Sequence, residues 1–306
     1  MKNKYEFHED LKKYKNFNVP VNSFVVYMSK FFLGLLFKFQ LSNKKMKVNK
    51  YKIKSFDGKN VSFLSYTPKN NSLSDKCIYF IHGGGFVFNS APHHYALAKN
   101  MAINCNCKVI LVNYRLAPKY KFPYATNDVF EVYKWIVNNG NLLNINVNKI
   151  VVMGDSAGGN LSLTTSLKAY ENNIVIPYKQ VLLYPCTLKD VKTKSNTTFI
   201  DTPMCNSKDM NKYGTYYFIN DNKENLKYMA PYFSNIFENY PKTYIEVAEY
   251  DCLKDDGVMM YEKLKESNVD VRIHEIKKAM HGYDIAINTP LLKSLIDQRV
   301  LFINDD

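Results

Sequence analysis

The chain has 306 residues, of which 46% are hydrophobic and 23% are charged. This length suffices for one large α/β domain, and the composition is typical of a globular protein, not of a disordered or fibrous one. The 41 basic residues outnumber the 28 acidic ones and give a formal net charge of +13. Because the lysines are spread along the chain without a basic block, we expect a solvated basic surface and no nucleic-acid binding.

The N-terminal stretch 19–41 is strongly apolar, but Lys30 and Lys38 interrupt it. Its longest uncharged run is too short for a transmembrane helix, and no signal-peptide cleavage site follows it. Its apolar side chains recur at helical spacing, namely Phe24, Met28, Phe31, Leu35 and Phe39, with Phe32 and Leu36 beside them. The pattern predicts an amphipathic helix that either covers a pocket of its own protein or lies weakly on a membrane surface.

From residue 51 onward, short apolar strands alternate with helical segments. Strands are predicted at 51–56, 61–66, 77–81, 109–113, 150–153, 181–184, 243–247 and 271–276, and helices at 128–137, 157–170 and 258–266. Asp57-Gly58 predicts a hairpin turn between the first two strands. The alternation predicts a mostly parallel central sheet that is flanked by helices on both faces.

Residues 187–235 interrupt this alternation. The segment is polar and rich in Asn and Lys, with scattered Tyr, Phe and Met, and it separates two strands that a short connection could join. Insertions of this kind at the strand ends of an α/β sheet are commonly lids over a site.

The six cysteines show neither C-x-x-C spacing nor an accompanying histidine pattern. So few cysteines in a long chain are not typical of a disulfide framework, and the spacing does not fit a zinc site. We therefore expect free thiols in a reducing cytoplasm and no metal.

Residues 154–158 have the sequence G-D-S-A-G, between a predicted strand and a predicted helix. A serine hydroxyl is a poor nucleophile unless it is exposed at a sharp turn and lies near a base and hydrogen-bond donors. The following helix supplies a free backbone N–H, that of Ala157, and a favourable local field. In this context Ser156 is a candidate nucleophile.

Residues 82–86 have the sequence H-G-G-G-F and follow the predicted strand 77–81. Three consecutive glycines allow backbone N–H groups to approach a substrate oxygen closely, as in the oxyanion-hole loops of lipases and esterases. A phosphate-binding turn fits less well, because neither the P-loop nor the dinucleotide-binding spacing is present.

A base and an acid should follow Ser156 in the chain. Of the histidines after Ser156, His274 falls within a predicted strand, whereas His281 lies just beyond it and is favoured as the base. Asp251 lies just after the strand 243–247, at the edge of the sheet where sites in α/β proteins form. Its competitors for the role of the acid are Glu249, Asp255 and Asp256.

Together these motifs resemble the hormone-sensitive-lipase-like family of α/β-hydrolase carboxylesterases. The matching residues are 82–85 (HGGG), 113–118 (NYRLAP) with Phe122-Pro123, 154–159 (GDSAGG), 249–255 (EYDCLKD) and 281–283 (HGY). Within 75–285 they follow the family order. Cys252 stands where the family usually has proline, and Tyr283 where it usually has phenylalanine.

The resemblance implies an α/β-hydrolase fold with a helical cap, and a catalytic triad of Ser156, Asp251 and His281. It further implies that the N–H groups of Gly84, Gly85 and Ala157 form the oxyanion hole, and that His82 supports the oxyanion loop. The implied organisation comprises N-terminal cap helices (1–48), a hydrolase core (49–186 and 236–306) and a cap insertion (187–235).

The expected activity is hydrolysis of small-molecule esters with short-to-medium acyl or aromatic groups, without a cofactor. The alternatives are a lipase or deacetylase acting on lipid-like esters at a membrane surface, and a non-catalytic ligand receptor on the same fold. Retention of Ser156, Asp251 and His281 together speaks against the receptor. The sequence indicates no oligomeric state.

Overall fold

A single eight-stranded sheet organises the computed structural model, which describes residues 4–70, 72–219, 223–237 and 239–305. The strands are β1 (Met46–Lys54), β2 (Asn60–Pro68), β3 (Cys77–Ile81), β4 (Lys108–Asn113), β5 (Ile150–Asp155), β6 (Lys179–Leu183), β7 (Lys242–Tyr250) and β8 (Val271–Met280). Their order in the sheet is β1-β2-β4-β3-β5-β6-β7-β8. The β1–β2 and β2–β4 pairs are antiparallel, and all other neighbours are parallel. The predicted mostly parallel sheet is confirmed.

Helices lie on both faces of the sheet. In chain order, the α-helices of the described residues, including those of the insertion, are α1 (Ser23–Lys38), α2 (Pro92–Asn104), α3 (Tyr124–Asn138), α4 (Gly140–Leu143), α5 (Ala157–Glu171), α6 (Lys194–Thr198), α7 (Ser207–Tyr217), α8 (Lys223–Met229), α9 (Lys254–Glu266) and α10 (Pro290–Asn304). Short 3₁₀ helices cover Glu9–Tyr14, Val147–Lys149, Pro231–Phe233 and Tyr283–Ile285. The sequence analysis did not predict α2 or α10, and both are present.

The central strands are buried on both faces and alternate between two cores. In β3, Tyr79 packs with α3 and α5 on one face, whereas Ile78 and Phe80 pack with α2 and α10 on the other. This two-residue period is the geometry of an extended strand. Because both faces are covered, these strands are continuously apolar, and their carboxyl ends point towards one edge, where the candidate site residues follow.

The insertion at 187–235 contains α6, α7 and α8 and begins directly beyond β6. It is tied to the sheet by Asp256 of α9, whose carboxylate accepts hydrogen bonds from the backbone N–H groups of Thr187 and Leu188 at 2.8 and 2.9 Å. The fixed start directs the insertion over the strand ends.

The predicted N-terminal helix is present as α1, held by Val26 and Phe37 on its inner side. Lys30 Nζ donates a hydrogen bond to the carbonyl of Ala117 at 2.6 Å, and Asn89 donates one to the carbonyl of Lys30 at 3.1 Å. The aromatic side chains on the opposite side are exposed. Within the described part of the chain, no helix is long and apolar enough to cross a membrane.

Candidate active site

Ser156 lies at the sharp turn between β5 and α5. Its backbone has φ 53° and ψ −118°, a conformation that residues other than glycine rarely adopt. A side chain at Gly154 would collide with the carbonyl of Gly158, and one at Gly158 would collide with that of Ile81. The two glycines of the motif are therefore required by close backbone approach, and the turn presents the Ser156 hydroxyl beyond the end of β5.

His281 and Asp251 complete a hydrogen-bonded chain with this serine. His281 Nε2 lies 2.9 Å from Ser156 Oγ, and His281 Nδ1 lies 2.7 Å from Asp251 Oδ2. Because a carboxylate can only accept, Nδ1 donates to Asp251, and Nε2 of the neutral ring is left to accept from the serine. Asp251 Oδ1 accepts a further hydrogen bond from the N–H of Leu253 at 2.8 Å, which fixes the carboxylate. The structure thus brings the three predicted residues together.

The competing acids have other partners. Glu249 accepts a hydrogen bond from the N–H of Lys278, Asp255 accepts one from the N–H of Ser195, and Asp256 holds the start of the insertion. His274, the other histidine considered, lies on β8 with its Nδ1 3.1 Å from the hydroxyl of Tyr244. None of these contacts leads to Ser156.

The imidazole of His281 is buried, and two opposing effects act on its pKa. Burial lowers the pKa, but the charge of Asp251 and its hydrogen bond favour the imidazolium more strongly. The pKa of His281 is therefore raised from 6.5 to about 9. An imidazolium so stabilised can hold a proton taken from a serine.

The glycine loop lies next to Ser156. Gly84 and Gly85 have φ values of 102° and 60°, in the region that favours glycine. Gly85 and Ala157 line the same small cavity as Ser156. Among the described residues, none accepts a hydrogen bond from the N–H of Gly84, Gly85 or Ala157. These three donors are thus available to a bound oxygen.

A buried polar network fastens this loop to the turn of the serine. Asp155 accepts hydrogen bonds from the N–H of Gly83 at 3.0 Å and from His94 Nε2 at 3.1 Å. His94 Nδ1 accepts from the N–H of Ala91, so its proton lies on Nε2. Burial lowers the pKa of His94 to about 3, which keeps the ring neutral. The sequence analysis assigned no role to Asp155 or His94. The one local signal was the charge of Asp155 at the end of the otherwise apolar strand β5.

His82 is also buried within this network. Its Nδ1 lies 2.7 Å from the carbonyl of Gly83, and its ring stacks on Tyr114 at a centroid distance of 4.4 Å. The Tyr114 hydroxyl donates to the carbonyl of His82 at 2.8 Å. These contacts fix the start of the glycine loop, and they keep His82 away from the chain of Ser156, His281 and Asp251.

A cleft of about 880 Å³ leads to the site between the insertion and the core. At its inner end, a cavity of about 10 Å³ lies at Ser156, lined by Phe86, Met210, Tyr213 and Phe218. The outer cleft is more polar and includes Lys121, Lys189, Asp190 and Lys192. No described residue of α1 lines either space. Across the described ranges, no three His, Cys, Asp or Glu side chains group as metal ligands.

The α/β-hydrolase class of serine enzymes is defined by a serine at a strained turn after a β-strand, a glycine loop beside it, and an acid and a histidine that follow in the chain. A family model described as alpha/beta hydrolase fold matches residues 78–285, which is more than half of the chain. The chain belongs to this family, and the resemblance to its hormone-sensitive-lipase-like members is confirmed. The predicted fold class is confirmed as well.

Individual relatives agree with this assignment. The chain is 31% identical to an esterase, LipI, of Mycobacterium tuberculosis over 207 residues, which cover 67% of this chain and 65% of that protein. It is 32% identical to an arylesterase of Saccharolobus solfataricus over 226 residues, 71% of each chain. The solved structure of an esterase from Pyrobaculum calidifontis has a TM-score of 0.79 at 27% identity and covers 91% of this chain and 90% of that one. The match thus spans slightly less than two thirds of the first of these proteins.

Proposed function

We propose that this protein is a serine carboxylic ester hydrolase with Ser156 as nucleophile, His281 as general base and Asp251 as the acid that orients the histidine. The observation that carries the proposal is the continuous hydrogen-bonded chain from Ser156 to His281 to Asp251, with distances of 2.9 and 2.7 Å. The names of the relatives, esterase and arylesterase, support the same reaction.

The reaction proceeds through an acyl-enzyme. Ser156 Oγ attacks the ester carbonyl carbon while its proton passes to His281 Nε2. The tetrahedral intermediate collapses when the C–O bond to the alcohol breaks and His281 returns the proton to the leaving oxygen. Water then attacks the acyl-enzyme, again losing its proton to His281, and the carboxylic acid leaves as Ser156 regains its proton.

The negative oxygen of the intermediate is stabilised by the N–H groups of Gly84, Gly85 and Ala157. Removing one such donor in a preorganised site costs roughly 3 kcal/mol of transition-state stabilisation. Asp155 and His82 act as positioning residues, since their contacts hold the glycine loop against the serine turn. The reaction needs neither a metal nor an organic cofactor.

The space at Ser156 favours esters with small or flat acyl groups. The inner cavity is narrow and bounded by Phe86, Met210, Tyr213 and Phe218, whereas the outer cleft is wide and partly polar. Because a cavity of about 10 Å³ holds little more than one water molecule, any acyl group must displace these side chains, and the displacement grows with the length of the chain. We propose short-to-medium acyl and aromatic esters as the substrates.

Replacement of Ser156 by alanine tests the chemistry. The Ser156→Ala variant should lose more than about a thousandfold in kcat for p-nitrophenyl acetate, because the nucleophile is gone. A Ser294→Ala variant, altered at an exposed serine of α10, is the matched control and should keep full activity. Undiminished turnover by Ser156→Ala would exclude the proposed mechanism, and a correctly folded wild-type chain that binds esters without turnover would favour the receptor alternative.

The acyl preference is tested with p-nitrophenyl esters of increasing chain length. We expect kcat/KM to be highest for acetate to butyrate and to fall steadily towards palmitate, because a longer chain must displace more of the side chains that bound the inner cavity. A maximum at palmitate would contradict the proposed substrate class while leaving the triad intact.

A further inference from the structure

The outward side of α1 is an unusually apolar surface. Phe24 and Tyr27 are each 74% exposed, and Phe31 and Phe39 are 60% and 68% exposed. We call these residues, together with Phe32, the outer face of α1; Phe39 is the C-cap of the helix. The face lies opposite the inner residues Val26 and Phe37, which pack on the protein. Contiguous exposed aromatic side chains commonly mark a surface that binds a partner or a membrane.

The segment that carries this face is strongly basic. Residues 11–56 contain eleven lysines and no aspartate or glutamate, so they account for most of the formal net charge of +13. Lys44, Lys45 and Lys47 are exposed just beyond the helix. Lys50 of β1 donates a hydrogen bond to the carbonyl of Lys38, which places these lysines next to the C-terminal end of α1. Positively charged groups are therefore neighbours of the aromatic residues at this end of the helix.

The positive charge of this segment indicates what kind of partner the outer face of α1 binds. A second copy of the chain would bring two such lysine clusters together without acidic residues to compensate them, which like-charge repulsion opposes. A bilayer with anionic lipids offers the complementary charge at its headgroups and an apolar layer beneath them. The helix has 16 residues, so it is about 24 Å long, shorter than the roughly 30 Å hydrocarbon core. It fits a position in the plane of the membrane surface.

We propose that the outer face of α1 docks this protein on an anionic membrane surface. The aromatic side chains enter the boundary between headgroups and acyl chains, and the neighbouring lysines contact the lipid phosphates and carboxylates. Contacts of Lys30 with Ala117 and of Asn89 with Lys30 fix the helix to the folded domain. Docking is independent of ester hydrolysis, because no described residue of the outer face lines the active-site cleft.

Flotation of the full chain with vesicles tests this proposal. Vesicles of phosphatidylcholine with phosphatidylserine should carry the protein to the top of a gradient, whereas pure phosphatidylcholine vesicles should carry far less. The Phe24→Ser/Phe31→Ser/Phe39→Ser variant should bind more than about a hundredfold more weakly, because three large apolar side chains no longer leave water on binding. The Lys44→Glu/Lys45→Glu/Lys47→Glu variant should lose about a hundredfold or more.

Matched controls distinguish binding through this surface from nonspecific adsorption to the vesicles. Ile103, Leu142 and Leu301 are exposed apolar residues elsewhere, and Lys208, Lys265 and Lys293 are exposed lysines outside the basic segment. A triple variant with serine at the three apolar positions and a triple variant with glutamate at the three lysine positions should float with the vesicles as the wild type does. All variants should keep their activity on soluble p-nitrophenyl acetate, which shows that they fold.

Three results would overturn the proposal. The first is a wild-type chain that does not float with anionic vesicles, and the second is a phenylalanine variant that binds as well as its control. The third is a wild-type dimer in light scattering that the phenylalanine substitutions dissociate, since the outer face would then bind a second copy. None of these results bears on the proposed hydrolysis, which the soluble substrate reports separately.

Discussion

Asp251 and Asp256 are buried carboxylates five residues apart, and they differ in what compensates their burial. Asp251 contacts the imidazole of His281 and one backbone N–H. Among the described residues, the Asp256 side chain accepts hydrogen bonds only from backbone N–H groups, and burial raises its pKa to about 7. The first carboxylate is therefore placed to favour a positive charge on histidine, and the second serves to anchor the insertion.

The pKa of His281 predicts how activity depends on pH. Burial lowers the pKa of His281 and Asp251 raises it, with a net increase to about 9. Because an imidazolium cannot accept the serine proton, kcat/KM should be low on the acidic side and should rise as pH increases through this pKa. In Asp251→Asn the midpoint should move to lower pH, and kcat should fall about ten-thousandfold. The measurement is kcat/KM for p-nitrophenyl acetate against pH, corrected for spontaneous hydrolysis.

Asp255→Asn is the matched control, because Asp255 contacts Ser195 and not the histidine. It should leave the midpoint of the pH profile unchanged. If Asp251→Asn kept the wild-type midpoint, or if Asp255→Asn moved it, Asp251 would not be the residue that sets the protonation of His281.

The candidate site was predictable to the extent that its signals are local. The strand and helix around Ser156 indicate a nucleophile turn. Chain order leaves His274 and His281, and the position of His281 just beyond a predicted strand favours it as the base. Asp251 could not be separated from its acidic neighbours without the family resemblance, because the choice depends on which carboxylate faces a histidine 30 residues later. The contacts of Asp155 with Gly83 and His94 were missed for the same reason, since they join segments far apart in the chain.

Among the elements, the strands were predicted more completely than the helices. Buried strands of a parallel sheet are continuously apolar, which is a strong signal. The helix α2 lacks a capping side chain at Ala91, and only Pro92 in its first turn signals its start, which was overlooked. By contrast, α10 begins with Thr289 as N-cap and Pro290 in its first turn, a signal that was available and was overlooked.

The helix α10 is joined to the sheet by a buried ionic cluster. Arg299 of α10 donates to Glu246 of β7 at 2.9 and 2.6 Å and to Asp284 at 2.9 Å. Tyr184 also donates to Asp284 at 2.9 Å, and its ring lies against His281 at a centroid distance of 4.7 Å. The cluster therefore links the C-terminal helix to Tyr184, which contacts His281.

Removing the cation of this cluster should be strongly destabilising. Arg299→Met leaves Glu246 and Asp284 buried without their positive partner. We expect this variant to lose about 4 kcal/mol of unfolding free energy. Arg272→Met removes an arginine that is half exposed in its pair with Asp305 and should cost less than about 1 kcal/mol. Urea denaturation of both variants measures the difference, and equal losses would contradict the assignment of Arg299 as a structural cation.

For the whole molecule, the N-terminal segment connects parts that are distant in sequence. The N–H of His8 donates to the carbonyl of Lys278, and the hydroxyl of Tyr14 donates to that of Ile285, on either side of His281. The carbonyl of Phe17 accepts from the N–H of Met204 in the insertion. The first described residues thus brace both the histidine loop and the insertion from outside, an arrangement that no local pattern in the sequence predicts.

The sheet order leaves β1 at one edge, with its outer backbone groups not paired to a further strand of the described sheet. Such an edge invites strand addition by another chain, the first step of many aggregation processes. Here Lys50, Lys52 and Lys54 project into solvent at alternate positions along this strand. An incoming strand would have to remove water from these charges, and a second β1 would bring its own. The charge pattern of β1 therefore protects the folded chain against edge-to-edge aggregation.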